Sequence, residues 1–390
     1  RHSFPTRRSS DLAVLDATGK IVCGPIATNP NFATNRLTNT ITVANVQPGC
    51  VPLNLFGPTS ESKEALAYVF QVSRFKTNTA MNNVGGTIAG PIFELPAGQI
   101  QAAVSGEWRK LTYELTSNSN TLPISCVGLR FNCGATTTQF QSNVLNPRTK
   151  VSQSVSEISG ELDVPLLKDM ALVESLNINA AGRYTDYDTS GKVSTWKLGI
   201  DWKITSDLTF RGTRSRDIRA PNLNDLFAPR LVNPAGVTDN HTAIVGQAPF
   251  ITDPNPDLVP EVAKTWTAGI VYRPSFIPRF SLAADWYQIK IANAITVIQG
   301  QNAVIQNICE ASNGTSPFCA LIERPLPFSN RTPANFVTAF YSKPQNAQVV
   351  DTHGVDIEAN YSFDLAGGTV NTRGLVSWQP ILNTIQFPTA

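Results

Sequence analysis

Trp196-Lys197-Leu198-Gly199-Ile200-Asp201-Trp202-Lys203-Ile204 decides the fold. Every second residue is apolar, and between them sit lysines, an aspartate and a glycine. Successive side chains of a β-strand point to opposite faces, so this segment reads as a strand with an oily, aromatic face and a charged or small one. Two architectures use such a strand. A soluble sandwich seals the apolar face in a core. A membrane barrel turns it to lipid and turns the polar face to a wet lumen.

The pattern recurs along the chain. Ile100, Ala102, Val104 and Trp108 alternate with Gln101, Ser105, Glu107 and Arg109. Ile158, Gly160, Leu162 and Val164 alternate with Glu157, Ser159, Glu161 and Asp163. Further alternating runs start near Leu176, Trp266, Phe280 and Val355. In the run from Phe280 the apolar phase moves to Tyr287, Ile289 and Ile291, which predicts a bulge or the end of a lipid-facing band. Trp and Tyr near strand ends fit an interfacial girdle. Strands of about nine to eleven residues suit a bilayer better than the five or six usual in soluble proteins. Short turns at Tyr187–Gly191, Lys203–Asp207, Arg273–Pro278 and Asp364–Gly368 contrast with long polar stretches at Thr116–Arg148, Asn222–Val259 and Gln299–Asn335. Such alternation of turns and loops is expected of a barrel. A brief helix is expected over Glu61–Val69, after Ser60. The fold class read from these signals is all-β: an antiparallel transmembrane β-barrel, here an incomplete wall of about a dozen strands.

Composition agrees. Charged residues make up 15% of the 390, below the roughly 25% of soluble domains. No run of about 18 apolar residues occurs, which excludes a spanning helix and leaves a closed barrel as the way across a bilayer. The net charge of +2 gives no reason to expect nucleic acid. The six cysteines form three short-range pairs in Pro-, Gly-, Asn- and Thr-rich stretches: Cys23 with Cys50, Cys126 with Cys133, and Cys309 with Cys319. Even number and loop placement favour disulfides in an oxidising compartment. Zinc is the competing reading, but no histidine lies near any pair and there is no C-x-x-C.

The most specific motif is Arg214-Ser-Arg-Asp-Ile-Arg-Ala-Pro-Asn-Leu-Asn-Asp-Leu-Phe227, followed by Asn255-Pro-Asp-Leu-Val-Pro-Glu261 and another alternating strand. Pro221 lacks an amide donor and ends the strand. Pro256 and Pro260 stiffen the approach to the next strand, which Glu261 opens. The arginines are expected at the lumen or rim. Arg214, Ser215, Arg219, Ala220, Pro221, Asn222, Leu223 and Phe227, with Asn255, Pro256, Pro260 and Glu261 after them, resemble the barrel half of TonB-dependent outer-membrane receptors. Cys50-Val-Pro-Leu-Asn-Leu-Phe-Gly57, Phe93–Gly98, Gly106–Arg109, Arg183–Tyr187 and Asp285–Ile289 extend the resemblance to about residues 13–380. It implies part of a receptor in the outer membrane of a Gram-negative bacterium, taking up a scarce solute such as a siderophore, a vitamin or an oligosaccharide. Implied partners are outer-membrane lipid, a small solute and a TonB-type energy-transducing protein acting through an N-terminal region. No enzymatic activity and no cofactor are implied. Residues 1–12 read as a translated adapter peptide, and 13–390 as a partial barrel open at both ends.

Two other readings share the alternation: a passive porin-type barrel, and a secreted β-rich binding protein or adhesin with its tryptophans in a core. Weaker signals are set aside. Asp186-x-Asp188-x-Ser190-Gly191 starts like a calcium loop, but position twelve is Lys197 rather than glutamate, so a turn is expected. His241 and His353 are isolated in sequence, and Asp356 with Glu358 reads as lumen lining.

Overall fold

The computed structural model of the chain describes residues 13–15, 17–19, 21–23, 51–54, 61–70, 72–119 and 145–386. Strands β1 (Ala13–Leu15) and β2 (Ile21–Cys23) pair as a separate antiparallel ribbon. Helix α1 spans Lys63–Val69. Its cap is Ser62 rather than Ser60, which lies outside the described residues; the Ser62 hydroxyl accepts from the Ala65 amide at 3.0 Å. That satisfies one of the amides a helix start leaves unpaired.

The other strands form one thirteen-stranded sheet. Its main path is an antiparallel meander of β3 (Phe75–Leu95), β4 (Gly98–Ser117), β5 (Arg148–Met170), β6 (Val173–Tyr187), β7 (Gly191–Lys203), β8 (Leu208–Arg219), β11 (Glu261–Tyr272), β12 (Phe280–Gln299), β14 (Ala339–Leu365) and β15 (Gly368–Gln386). Between β8 and β11 come helix α2 (Leu223–Phe227) and a hairpin of β9 (Leu231–Asp239) and β10 (Ile244–Thr252). Between β12 and β14 come helix α3 (Ala303–Ala311), a 3-10 turn at Pro317–Leu321 and the short β13 (Ile322–Glu323). Strand β10 runs parallel to β14 at Phe250–Phe340, while β13 pairs antiparallel with it. Among the described residues β3 and β15 each pair along one side only, so the sheet is an unclosed wall.

The face of this wall decides between sandwich and barrel. Trp108, Trp196, Trp266, Trp286 and Trp378 are 39–64% exposed, and Val84, Ile88, Val104, Ile158, Leu198 and Ile270 are exposed with them. No second sheet covers them among the described residues. Each large apolar side chain kept in water forgoes about 1.5–3 kcal/mol of burial, so a face this long needs another apolar phase against it. The sixth tryptophan, Trp202, donates its indole N–H to the Leu172 carbonyl at 3.0 Å.

Main-path strands run from 12 to 27 residues, longer than the nine to eleven expected. At roughly 3.3 Å per residue β14 extends about 90 Å, well beyond a hydrocarbon layer about 30 Å thick. The excess length rises toward the long loops. Turns 96–97, 171–172, 204–207, 273–279 and 366–367 lie at one end of the sheet. At 366–367 both residues take positive φ, 50° and 81°, as a tight two-residue hairpin demands. Segments 220–260 and 300–338 lie at the other end, and so do residues 118–119, residues 145–147 and the Asp188–Ser190 turn. The alternation of short and long connections is therefore not strict, because β6 and β7 are joined tightly at the loop end. That turn is a hairpin whose Asp188 carboxylate accepts from the Ser154 amide at 2.9 Å.

The phase change in β12 is not a bulge at Tyr287. Pairing with β14 is continuous from Phe280 to Ile291, and the shifts fall between Ile291 and Ile295. Tyr287, Ile289 and Ile291 instead make the inward face apolar, opposite Gly354, Thr352 and Val350. Gly354 leaves the room: a Cβ there would lie 2.6 Å from the Tyr287 hydroxyl. Buried packing concentrates at the loop end, in a cluster of Ala248, Val337 and Phe340 and another of Ile298, Ile305 and Leu321.

Candidate functional site

Strand parity sorts the polar side chains onto one face of the sheet, the inward face of a barrel. Register aligns Lys197 with Ser215, Asp201 with Arg211, Thr213 with Thr267, and Asp285 with Asp356. Arg109 on β4 reaches Glu157 on β5 with two bonds, at 2.9 and 3.1 Å. Thr185 donates to the same carboxylate at 3.2 Å, and Arg183 lies 3.9 Å from it. These groups, with Lys197 and Asp217, line a cavity of about 370 Å³. Arg211 on β8 reaches Asp285 on β12 at 2.7 and 2.6 Å, passing over Gly269 of the intervening β11. Glu358, one of the carboxylates on β14, binds Arg373 on β15 at 2.9 and 3.0 Å. Paired two-pronged bonds of this kind hold direction as well as charge. They make a polar wall able to pass or contact a hydrophilic solute.

The two sequence motifs meet at the top of this wall. Arg219, the last residue of β8, lies directly opposite Glu261, the first of β11. Its guanidinium binds both Glu261 oxygens, one at 2.9 Å, and the nearer oxygen also accepts from the Ile295 amide at 2.6 Å. Pro221, fully buried, ends the pairing. Asn222 then starts α2, accepting from the Asn224 and Asp225 amides at 2.9 Å while Asp225 returns a bond to the Asn222 amide. This capping box turns the chain sharply at the rim. Leu226 of α2 is buried, and Arg148 lies 5.7 Å over the Phe227 ring. The second motif is tied to the same helix: the Asn255 amide donates to the Asp225 carbonyl at 2.9 Å. The Asn255 side chain donates to the Pro344 carbonyl on β14 at 2.8 Å. Pro256 lies in the following turn. Ahead of Pro260, Val259 exchanges two bonds with the Asn346 side chain, at 3.0 and 2.8 Å. Leu223 opens α2 and Ala220 precedes Pro221 in the turn from β8. The motif residues thus anchor a long loop to the rim across four strands.

One expectation is corrected. Arg211, Ser215 and Arg219 face inward, and Ser215 donates to Asp217 at 2.5 Å. Arg214 does not share their face. It pairs with Leu198 on one side and Trp266 on the other, on the apolar face. Its guanidinium lies 4.4 Å from the Trp266 ring centre and 5.8 Å from that of Trp196. Arg216 shares that parity. The signal was available: Phe210 and Ile218 mark the even positions of β8 as its apolar phase.

The loops above the rim form a second polar cluster. Asp239, fully buried, receives Arg324 at 2.6 and 2.7 Å, Thr242 at 2.8 Å and the His241 amide at 3.1 Å. Burial pushes the Asp239 carboxyl up, but the bonds from Arg324, Thr242 and His241 outweigh it and hold the group below its usual range. His241 is isolated in sequence yet packed in space. Its Nδ1 lies 2.7 Å from Glu310, its Nε2 lies 3.0 Å from the Asn330 carbonyl, and its ring is 4.2 Å from that of Phe328. Each ring nitrogen thus faces an oxygen across the loop cluster. Cys309 of α3 is bonded to Cys319, with Cα atoms 5.3 Å apart. Cys50, Cys126 and Cys133 lie outside the described residues, and only the backbone of Cys23 is described.

A family model described as TonB dependent receptor-like, beta-barrel, matches residues 27–389. The chain belongs to that family. The family is one of receptors and transporters rather than of enzymes. Solved structures agree with the receptor-barrel fold. The ferric enterobactin receptor PfeA from Pseudomonas aeruginosa, as a glycine-to-valine mutant, superposes with a TM-score of 0.51 at 14% identity, covering 77% of this chain and 36% of that one. An arginine and glutamine double mutant of PfeA gives 0.50 at 15%, covering 77% and 36%. The siderophore receptor PirA from Acinetobacter baumannii gives 0.47 at 16%, covering 78% and 37%. The receptor barrel described here therefore spans little more than a third of the length of these structures. No curated protein sequence matches it.

Proposed function

We propose that this barrel wall belongs to an outer-membrane receptor of a Gram-negative bacterium. In this reading it takes up a scarce solute, such as a siderophore, a vitamin or an oligosaccharide, with energy delivered by a TonB-type protein. The observation that carries the reading is the division of one sheet into two solvents. Five tryptophans and many aliphatic side chains stand exposed on one face. Arg109–Glu157, Arg211–Asp285 and Arg373–Glu358 are laid along the other. A closed barrel in lipid satisfies both, since it removes the sheet edges and hides the apolar face.

The loop cluster around Asp239 and the rim anchored by Arg219–Glu261 would carry the solute-binding surface, because they stand above the lumen and are held rigidly. Family membership supports the class of small solute and the energising partner in this reading. The reading is tested by uptake. Cells producing the receptor and lacking its gene are compared for energy-dependent accumulation of labelled ferric chelates, vitamins and oligosaccharides, with and without a collapsed proton gradient. Accumulation of one solute that needs both the gene and the gradient is expected. Recovery of the protein in a detergent-free soluble fraction would overturn the reading.

A further inference from the structure

On the apolar face, register places Trp196, Arg216, Lys264 and Lys290 side by side across four adjacent strands, β7, β8, β11 and β12. The neighbouring row is Leu198, Arg214, Trp266 and Gln288, and the one beyond is Ile200, Gly212, Ala268 and Trp286. Four cations therefore sit together at the edge of the oily band, level with its tryptophans and toward the loop end. The arrangement contains two directly opposed like-charge pairs, Arg216 with Lys264 and Lys264 with Lys290. Such pairs destabilise a sheet unless an anion answers them.

The one carboxylate that register brings to this row among the described residues is Asp351, opposite Lys290, and it forms no ion pair with it. Among the described residues none of the four forms an ion pair. Arg216 reaches only Ser194, its backbone carbonyl and hydroxyl. The contrast within β8 is sharp. Inward-facing Arg211 and Arg219 are each held by a carboxylate, whereas outward-facing Arg214 and Arg216 are not. Arg214 is instead sandwiched by Trp196 and Trp266, which fixes the plane of its guanidinium and leaves its N–H edges unused.

We infer that Arg214, Arg216, Lys264 and Lys290 form a binding site for the phosphate groups of an anionic lipid in the leaflet at the loop end. The inference rests on the proposed membrane placement. Charge complementarity selects the occupant. The acyl chains would lie on the Leu198, Ile200 and Ile270 surface while phosphate oxygens accept from the cations above it.

The experiment uses the receptor purified in detergent and stripped of lipid, with lipid phosphorus and native mass measured after incubation with anionic or zwitterionic phospholipid, or with inorganic phosphate. Wild type is expected to retain the anionic lipid preferentially. Lys264→Gln with Lys290→Gln should weaken that preference by about fivefold per cation removed. This variant also relieves the like-charge contact, so its fold should be kept, as heat-modified mobility on a gel would show. Arg214→Gln, made separately, should lower the preference again. Equal retention of both lipids by wild type, or an unchanged preference in all variants, would overturn the site and leave the membrane reading intact. Displacement of the lipid by inorganic phosphate at comparable concentration would overturn a lipid source. Failure of wild type to associate with any lipid or detergent would sink the membrane reading, and the site with it.

Discussion

At Gly269 an ideal Cβ would lie 2.0 Å from the Asp285 carboxylate and 3.0 Å from the Ala284 carbonyl oxygen. The missing side chain is what lets Arg211 reach a carboxylate two strands away. Gly269→Ala should displace Asp285 and cost about 1–3 kcal/mol by overpacking. Gly182→Ala, where nothing lies within 4 Å of the added atom, should change stability by less than about 0.5 kcal/mol. Urea unfolding midpoints in detergent compare the two, and equal midpoints would contradict the role given to Gly269. Arg219→Met strands Glu261, whose side chain is 10% exposed. It should cost about 1–2 kcal/mol, discounted because the arginine itself is half exposed, and should open the β8–β11 loop to protease first. At this scale the sequence was half legible. Its alternation assigned Asp285 and Glu358 to the polar face, and parity was enough to place Arg214 outside. Which carboxylate each arginine meets depends on register between strands up to dozens of residues apart, and one sequence does not encode that visibly.

Among the elements, the β9–β10 hairpin and the α3 segment with β13 behave as a unit sitting on the extended end of β14. Their shared contact is Asp239–Arg324, with side chains 0% and 7% exposed. Removing one partner of a buried pair leaves a charge without compensation, so Arg324→Ala should destabilise the loop unit by about 3–5 kcal/mol. The Asp239 carboxyl is depressed in the folded state, so its contribution is complete above the unfolded value near 3.8 and is lost as pH falls through the lower folded one. Hydrogen exchange between pH 5 and pH 2 should therefore show the 231–252 and 322–338 amides opening before those of the wall. Simultaneous opening of loop and wall would contradict this. The cluster was hidden from sequence reading because Asp239 and Arg324 stand 85 positions apart in separate polar loops. The capping pattern Asn222-x-x-Asp225 is a local signal for α2, embedded in the longer motif.

For the whole molecule, alternation carries the fold class and the paired motifs carry the resemblance to the family, while strand length exceeds what alternation alone implies. Nine to eleven residues is what a bilayer needs, but β12 and β14 continue far above it to support the loops. The loop pairing of β10 with β14 was not foreseeable either, because a strand from one connection joins an edge reached only after β11 and β12. The central claim is that the tryptophan-bearing face meets acyl chains. Tryptophan fluorescence of the receptor reconstituted in bilayers of brominated phospholipid tests it directly. The account predicts strong quenching by bromine placed on the upper acyl chain, lost in part when Trp196 and Trp266 are replaced by phenylalanine, and little quenching by aqueous iodide. Emission insensitive to brominated lipid but quenched by iodide, or insensitive to both, would contradict it.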